Sequence, residues 1–251
     1  MTIQIPQPHH LSQLRSLWKE AFGDADAFLD VFYATGFSPE RCRCICLDGT
    51  VAAALYWFDW TLEGRKIAYL YAVATRKAFR HRGLARELLD GTHLVLQQAG
   101  YSGSLLTPAR PELFAFYERS GYGPASTVRD RMILAGAEPV PLREIGLAEY
   151  LSLRPKLLPA GSAVPDEAYL SYLAAQTRFY RGRDFLICAA AEQGILTVQE
   201  YLGDWNQPPG ILAALGCQKG RFLGPGSDRV LTMYRPLDAH GAPHYCGFPM
   251  D

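Results

Sequence analysis

The stretch that most constrains this chain begins at Tyr69. Residues 69–75 read Tyr-Leu-Tyr-Ala-Val-Ala-Thr, Arg76-Lys77-Ala78-Phe79 comes next, and then Arg80-His81-Arg82-Gly83-Leu84-Ala85. The first block is aromatic and β-branched and carries no charge, which predicts a buried strand. The last block opens a helix that keeps Leu84, Leu88, Leu89, Val95, Leu96 and Ala99 on one face. Between the two lies a basic cluster containing one glycine. An anion site is built in this way. Main-chain N–H groups without partners point out of a helix N-terminus, the helix dipole adds partial positive charge, and arginines supply more. Gly83 lets the backbone approach the anion closely, and Ala85 is small enough to do the same.

A chain of 251 residues has room for one large domain or two smaller ones. A core burying roughly 70–75% of the unfolded surface needs no disulfide or metal staple. Lys and Arg number 25 and so do Asp and Glu, so nothing global points to nucleic acid or an anionic membrane. The N-terminal Met1-Thr2-Ile3-Gln4-Ile5-Pro6 has neither the basic nor the apolar part of a secretory signal. No run reaches the ~18 apolar residues of a membrane span, and a cytoplasmic protein is expected. Cys42, Cys44 and Cys46 alternate along a predicted strand, which puts all three on one face, while Cys188, Cys217 and Cys246 are isolated. No second Cys/His cluster stands at zinc spacing, so the expectation is reduced, buried thiols and no metal. His9-His10 precedes a helix with nothing nearby to complete a ligand set, so surface histidines are expected.

Taken in order, the pattern predicts a helix over 10–22 ended by Gly23, and a second to about residue 36 capped by Asp24. Strands over 42–47, 51–62 and 66–75 are joined by Asp48-Gly49 and Glu63-Gly64 turns into an antiparallel meander. A helix over 84–99 crosses over to a short strand at 103–106, parallel to the third. Pro111 opens another helix, Gly121 lies just past its end, and Leu113, Phe114 and Tyr117 share one face. A strand over 126–134 closes this half, and residues 136–141 form a connection. Beyond it the pattern predicts helices over 142–157 and 165–180, a hairpin of 184–190 and 195–201, a short helix at 211–217, and short strands at 230–235 and 245–250. That order is an abbreviated echo of the first half.

Arg80-x-x-Gly83-x-Ala85 after an apolar strand resembles the pyrophosphate loop of the GNAT acetyltransferase superfamily. Phe116-Tyr117-Glu118-Arg119-Ser120-Gly121-Tyr122 resembles its second landmark, a helix reading F-Y-x-x-x-G-F/Y. The resemblance covers residues 1–136 and implies an α+β fold with a mixed, mostly antiparallel sheet flanked by helices. Residues 137–251 resemble a smaller, degenerate GNAT-like half, as in the tandem-GNAT acetyltransferases of bacteria. Their loop, Gly203-Asp204-Trp205-Asn206-Gln207-Pro208-Pro209-Gly210, has an acid where arginines would stand and two prolines that remove donors.

The resemblance further implies acetyl-CoA as co-substrate, no metal, and direct attack by a primary amine of a small molecule or peptide. Main-chain groups of Val73, Ala74 and Thr75 would pair with the pantetheine arm. Arg80, His81, Arg82, Gly83, Leu84 and Ala85 would grip the pyrophosphate, and an N–H near Val73 would steady the oxyanion. Tyr117 is the implied general acid, a phenol able to donate to a departing thiolate. Residues 67–75 offer no carboxylate, so the candidate bases are Asp59, Glu112, the terminal carboxylate of Asp251 or a water relay that needs none of them. Tyr33, Tyr56, Trp57, Phe58, Trp60, Tyr69 and Tyr71 surround this region, with strand alternation sending about half to the other face. Two other readings stay open. One is an acyl-CoA-binding regulatory module without chemistry; the other is an aminoacyl transferase using charged tRNA, against which the balanced charge weighs.

Overall fold

The computed structural model describes residues 2–249. In chain order the elements are β1 (Ile3–Gln4), α1 (Leu11–Phe22), α2 (Asp26–Thr35), β2 (Cys42–Leu47), β3 (Thr50–Leu62), β4 (Arg65–Thr75), α3 (Leu84–Gln98), β5 (Gly103–Leu106), α4 (Glu112–Glu118) and β6 (Gly123–Pro124). They continue as β7 (Thr127–Leu134), β8 (Arg143–Ile145), α5 (Leu147–Leu153), β9 (Val164–Pro165), α6 (Glu167–Ala174), β10 (Arg178–Arg181), β11 (Leu186–Glu192), β12 (Ile195–Leu202), α7 (Pro208–Ala214), β13 (Lys219–Pro225), β14 (Arg229–Val230) and β15 (Met233–Pro236). The chain forms two units. The first runs to Gly123 and regains Val164–Tyr172 and Met233–Ala242; the second holds Pro124–Ala163, Leu173–Thr232 and the residues from Pro243 onward.

In the first unit the strand order is β1-β2-β3-β4-β5-β15-β6, with β9 added to β3. Pairing is antiparallel between β2 and β3 and between β3 and β4, parallel between β4 and β5, and antiparallel between β5 and β15. The α3 stripe of Leu84, Leu88, Leu89 and Leu96 packs on Leu55, Trp57, Ala68 and Leu70, each fully buried leucine adding roughly 1.5–3 kcal/mol. Trp18 of α1 and Phe32 of α2 meet Tyr56 and Tyr71, which alternation turns away from the α3 side. The α2 helix starts from Ala25 rather than Asp24, because the Trp18 indole N–H donates to the Asp24 carboxylate at 2.7 Å.

A buried polar chain holds β15 in place. The Arg235 guanidinium donates to His93 Nδ1 at 2.9 Å and to the Ser120 carbonyl at 2.8 Å. His93 Nε2 lies 2.8 Å from the Tyr122 hydroxyl, which lies 2.7 Å from that of Ser104. With Nδ1 accepting, the neutral ring carries its proton on Nε2. Next to this chain a Cβ on Gly103 would stand 2.0 Å from the Tyr234 hydroxyl, so only glycine fits.

In the second unit the order is β14-β7-β13-β12-β11-β10-β8. Pairing is antiparallel between β11 and β12, parallel between β12 and β13, and antiparallel between β13 and β7. The same succession runs through β3, β4, β5 and β15, with one helix in each parallel crossover, α3 in one and α7 in the other. The two sheets thus share a pairing succession, with the closing strands exchanged. Residues 126–134, expected to close the first half, instead pair with β13, while β15 from the chain's far end completes the first sheet. The division falls at 123/124 rather than 136/137, and two later segments return to the first unit.

Other differences have local causes. The helix expected over 142–157 yields a strand, then α5, then a 3-10 turn around Pro155. The helix expected over 165–180 ends at Ala174, and β10 begins at Arg178. Strand β13 leaves no clear mark in the pattern, since Gly220, Gly224 and Pro225 interrupt its apolar run. Both glycines are needed there: a Cβ would come within 2.9 Å of the Leu196 carbonyl at Gly220 and 2.3 Å of the Tyr201 carbonyl at Gly224. Behind this sheet Arg154 and Glu200 form a fully buried two-point ion pair at 2.7 and 2.8 Å, and the Tyr150 and Tyr245 hydroxyls also donate to Glu200. No helix among the described residues is long and apolar enough to cross a membrane.

Burial, with the Arg235 charge beside it, pushes the His93 imidazole down from 6.5 to about 3. Between those values the unfolded chain binds the proton that the folded one refuses, so stability rises with pH across the window. Acidification below pH 6.5 should cost up to about 1.4 kcal/mol per pH unit from this group. Urea unfolding of His93→Gln over the same range should show a flatter dependence; an unchanged slope would assign the effect elsewhere.

Candidate active site

Strands β4 and β5 are paired only from Ile67↔Gly103 to Tyr69↔Leu105, yet β4 continues to Thr75. The main chain of residues 71–75 therefore has no ladder partner in β5. On the β3 side, Tyr56 faces Tyr71 and Ala54 faces Ala74, so Ala72 and Val73 together oppose Leu55. This is a β-bulge, with Ala72 in the left-handed region at φ 49°. A bulge bends its strand and re-aims the residues beyond it. The Thr75 side-chain oxygen is buried beside this edge, with no partner among the described residues.

The loop after β4 is pinned at its start and exposed at its end. Arg76 pairs with Glu20 at 3.1 Å and donates to the Val51 and Gln13 carbonyls, and the Lys77 N–H donates to the same Glu20 carboxylate. Arg76 is thus committed to the fold and not to an anion. Arg80, His81 and Arg82 are exposed. Arg80 Nε donates to the Thr75 carbonyl at 3.1 Å, and the Arg82 guanidinium lies over the Phe79 ring. His81 at φ 61° and Gly83 at φ 77° are both left-handed, in a turn of the kind that gathers N–H groups into an anion-binding concavity. No side chain caps α3, and its first main-chain bond runs from Glu87 N–H to the Gly83 carbonyl. The N–H groups of Leu84, Ala85 and Arg86 are left without helical partners, at the positive end of a 15-residue helix.

Val73, Ala74 and Thr75 thus lie on the opened edge, and Arg80 through Ala85 form the turn it feeds. Tyr117 sits in the core on α4, its ring 5.1 Å from Phe116 and 5.7 Å from Tyr122, and burial pushes its phenol up to about 12. The candidate bases divide. Asp59 accepts from the Tyr101 hydroxyl at 2.5 Å and pairs with Lys66 at 3.2 Å, on the α3 side of the sheet with Trp57, so each of its oxygens is already engaged. Glu112 is exposed in the first turn of α4, and Asp251 lies outside the described residues.

Of the aromatic residues around β3 and β4, Tyr33, Tyr56, Phe58, Trp60, Tyr69 and Tyr71 share one face and Trp57 takes the other. Sequence reasoning missed two members of that face. Tyr169 and Tyr172, on the returning segment Val164–Tyr172, pack against Trp60 and Phe58, and the Tyr172 hydroxyl lies 3.1 Å from that of Tyr71. No local signal ties positions so far apart. The expectation that nothing completes a ligand set for His10 also fails, because the turn before α1 brings it to Cys44 and Cys46.

The Acetyltransferase (GNAT) domain family matches residues 2–125. No curated protein matches the sequence. Among solved structures, a GCN5-related N-acetyltransferase from Kribbella flavida superposes with a TM-score of 0.73 at 18% identity, covering 95% of this chain and 71% of that one. A GCN5-related N-acetyltransferase from Anabaena variabilis ATCC 29413 gives 0.70 at 17% identity, covering 94% and 73%. Eis1 from Mycobacterium abscessus gives 0.68 at 13% identity, covering 95% and 74%. At these identities the structures speak for the fold. The family match assigns residues 2–125 to the GNAT superfamily. That superfamily is one of acyltransferases.

A Cβ on Gly83 would meet nothing within 4 Å, so its requirement for glycine is conformational. Gly83→Ala should lower the unfolding free energy by about 1 kcal/mol through left-handed strain alone. A denaturant midpoint equal to that of the unmodified protein would refute it.

Proposed function

We propose that the first unit transfers the acetyl group of acetyl-CoA to a primary amine of a small molecule or peptide. The observation that carries this reading is the opened edge of β4 running through a bulge into an uncapped helix N-terminus flanked by exposed Arg80 and Arg82. The edge supplies unpaired main-chain groups to an amide-bearing pantetheine arm. The turn supplies N–H groups and positive charge to a diphosphate. The partners are then the coenzyme and the amine, with no role for nucleic acid or a membrane.

In this reading the neutral amine attacks the thioester carbonyl carbon, and the C=O electron pair moves to oxygen. A main-chain N–H near Val73 receives that oxyanion. Collapse expels the coenzyme thiolate, and the proton lost from nitrogen ends on sulfur. Tyr117 stays protonated, since its phenol is pushed up to about 12. Outright transfer from it to a thiolate whose conjugate acid lies near 8.5 is uphill by about 5 kcal/mol. Its part is therefore to donate a hydrogen bond to the developing thiolate and pass its proton on only as the N–H proton replaces it. Tyr71 and Tyr172, whose hydroxyls meet beside the bulge, line the acceptor side.

The second unit supports a degenerate reading. Between β12 and α7, Asp204 accepts from the Asn206 N–H and side chain, and α7 begins with two prolines. Beside the bulge in β12 the Phe248 N–H bonds to the Gln199 carbonyl at 3.3 Å, so that edge is already engaged by the chain itself.

Calorimetric titration with acetyl-CoA should give one site per chain, and Arg80→Ala with Arg82→Ala should abolish it. Two sites, or binding unaffected by the double variant, would overturn the assignment. Tyr117→Phe should cut turnover at least ~10-fold with little change in coenzyme affinity, measured as thiol release over a panel of amines. Tight coenzyme binding without turnover on any amine would favour a non-catalytic module.

A further inference from the structure

We propose that His10, Cys44 and Cys46 form a binding site for one thiophilic d10 metal ion, Zn(II) or Cu(I), beneath the turn that opens α1. The three donor atoms lie within 4.8 Å of one another, and His10 Nε2 is 3.7 Å from Cys46 Sγ. An ion with bonds of about 2.3 Å to sulfur and about 2.0 Å to imidazole nitrogen holds such donors roughly 3.5–3.8 Å apart. Two thiolates and one imidazole are the donor set that soft and borderline ions select.

The fold builds this set from three directions. Strand alternation puts Cys44 and Cys46 on one face of β2. The 3-10 turn Pro8–His10 swings His10 over them, and β1 runs beside β2 with Gln4 opposite Cys44. The Gln4 side-chain amide donates to Cys46 Sγ at 3.2 Å, a contact that steadies a thiolate ligand. Cys44 and His10 are buried while Cys46 is half-buried, which leaves one side for an ion to enter. Cys188, Cys217 and Cys246 join no comparable group among the described residues.

The proton balance gives the site a signature. The Gln7 N–H donates to His10 Nδ1 at 3.0 Å, so the neutral metal-free ring carries its proton on Nε2, facing Cys46. On binding, the two thiols release their protons to solvent. The ring proton moves to Nδ1 through solvent, and the freed Nε2 lone pair bonds the ion. No electrons are exchanged. Zn(II) would complete four-coordination with water from the Cys46 side, whereas Cu(I) is satisfied by three donors. In either case the Gln7 N–H must lose its acceptor.

The test uses the reduced full-length protein under anaerobic conditions, titrated with Co(II) as a spectroscopic stand-in for Zn(II) and, separately, with Cu(I) against a competing chelator. One equivalent should bind in at least one arm, and the Gln7 amide resonance should shift on saturation. A thiolate-to-cobalt charge-transfer band marks the Zn(II) class; its absence with tight Cu(I) binding marks the other. Cys46→Ser and His10→Phe should each weaken binding by more than the ~10–100-fold that loss of a supporting group costs, while Cys217→Ser should leave it unchanged. The proposal falls if neither ion binds stoichiometrically, if binding survives Cys46→Ser, or if it survives His10→Phe with the Gln7 resonance unmoved. None of these readouts depends on acetyl transfer.

Discussion

The parting of two parallel strands governs the first unit. A parallel ladder holds its neighbours through evenly spaced main-chain bonds, and an unpaired buried main-chain group is costly. Ending the β4–β5 ladder at Tyr69↔Leu105 while β4 runs on to Thr75 leaves donors and acceptors that the sheet does not satisfy. Everything around this edge keeps it open and in place. The bulge at Ala72 and Val73 redirects the strand, Glu20 fastens Arg76 and Lys77, and the α3 stripe anchors the far side of the turn.

Much of this was legible because the responsible interactions are local. The meander, the α3 stripe and the 103–106 strand follow from periodicity and from turn residues such as Asp48-Gly49, and the structure places them within a residue or two. The basic turn could be read because Gly83 and the arginines are neighbours in sequence. Its division of labour could not: nothing local says that Arg76 goes to Glu20 while Arg80 and Arg82 stay exposed. The same limit hid Tyr172 beside Tyr71, His10 over Cys46, and the commitment of Asp59 to Tyr101 and Lys66.

The second unit was harder to read for a physical reason. Its strand β13 contains two glycines and ends in proline, which depress any strand propensity. Those glycines exist because the Leu196 and Tyr201 carbonyls come too close for a Cβ. The unit also buries a charge pair. Arg154 and Glu200 satisfy each other with help from Tyr150 and Tyr245, a pattern in which a full set of partners matters more than hydrophobicity. Periodicity sees only apolar residues.

The exchange of closing strands has a consequence for biosynthesis. A chain emerging from the ribosome reaches Gly123 with the β5 edge of its first sheet still bare, and the strand that covers it ends only at Pro236. More than a hundred residues must be translated in between, so the amino-terminal half cannot finish folding as it is made. During that interval the outer edge of β5 is an open template, and its brevity, four residues from Gly103 to Leu106, limits what a stray strand could gain by docking there.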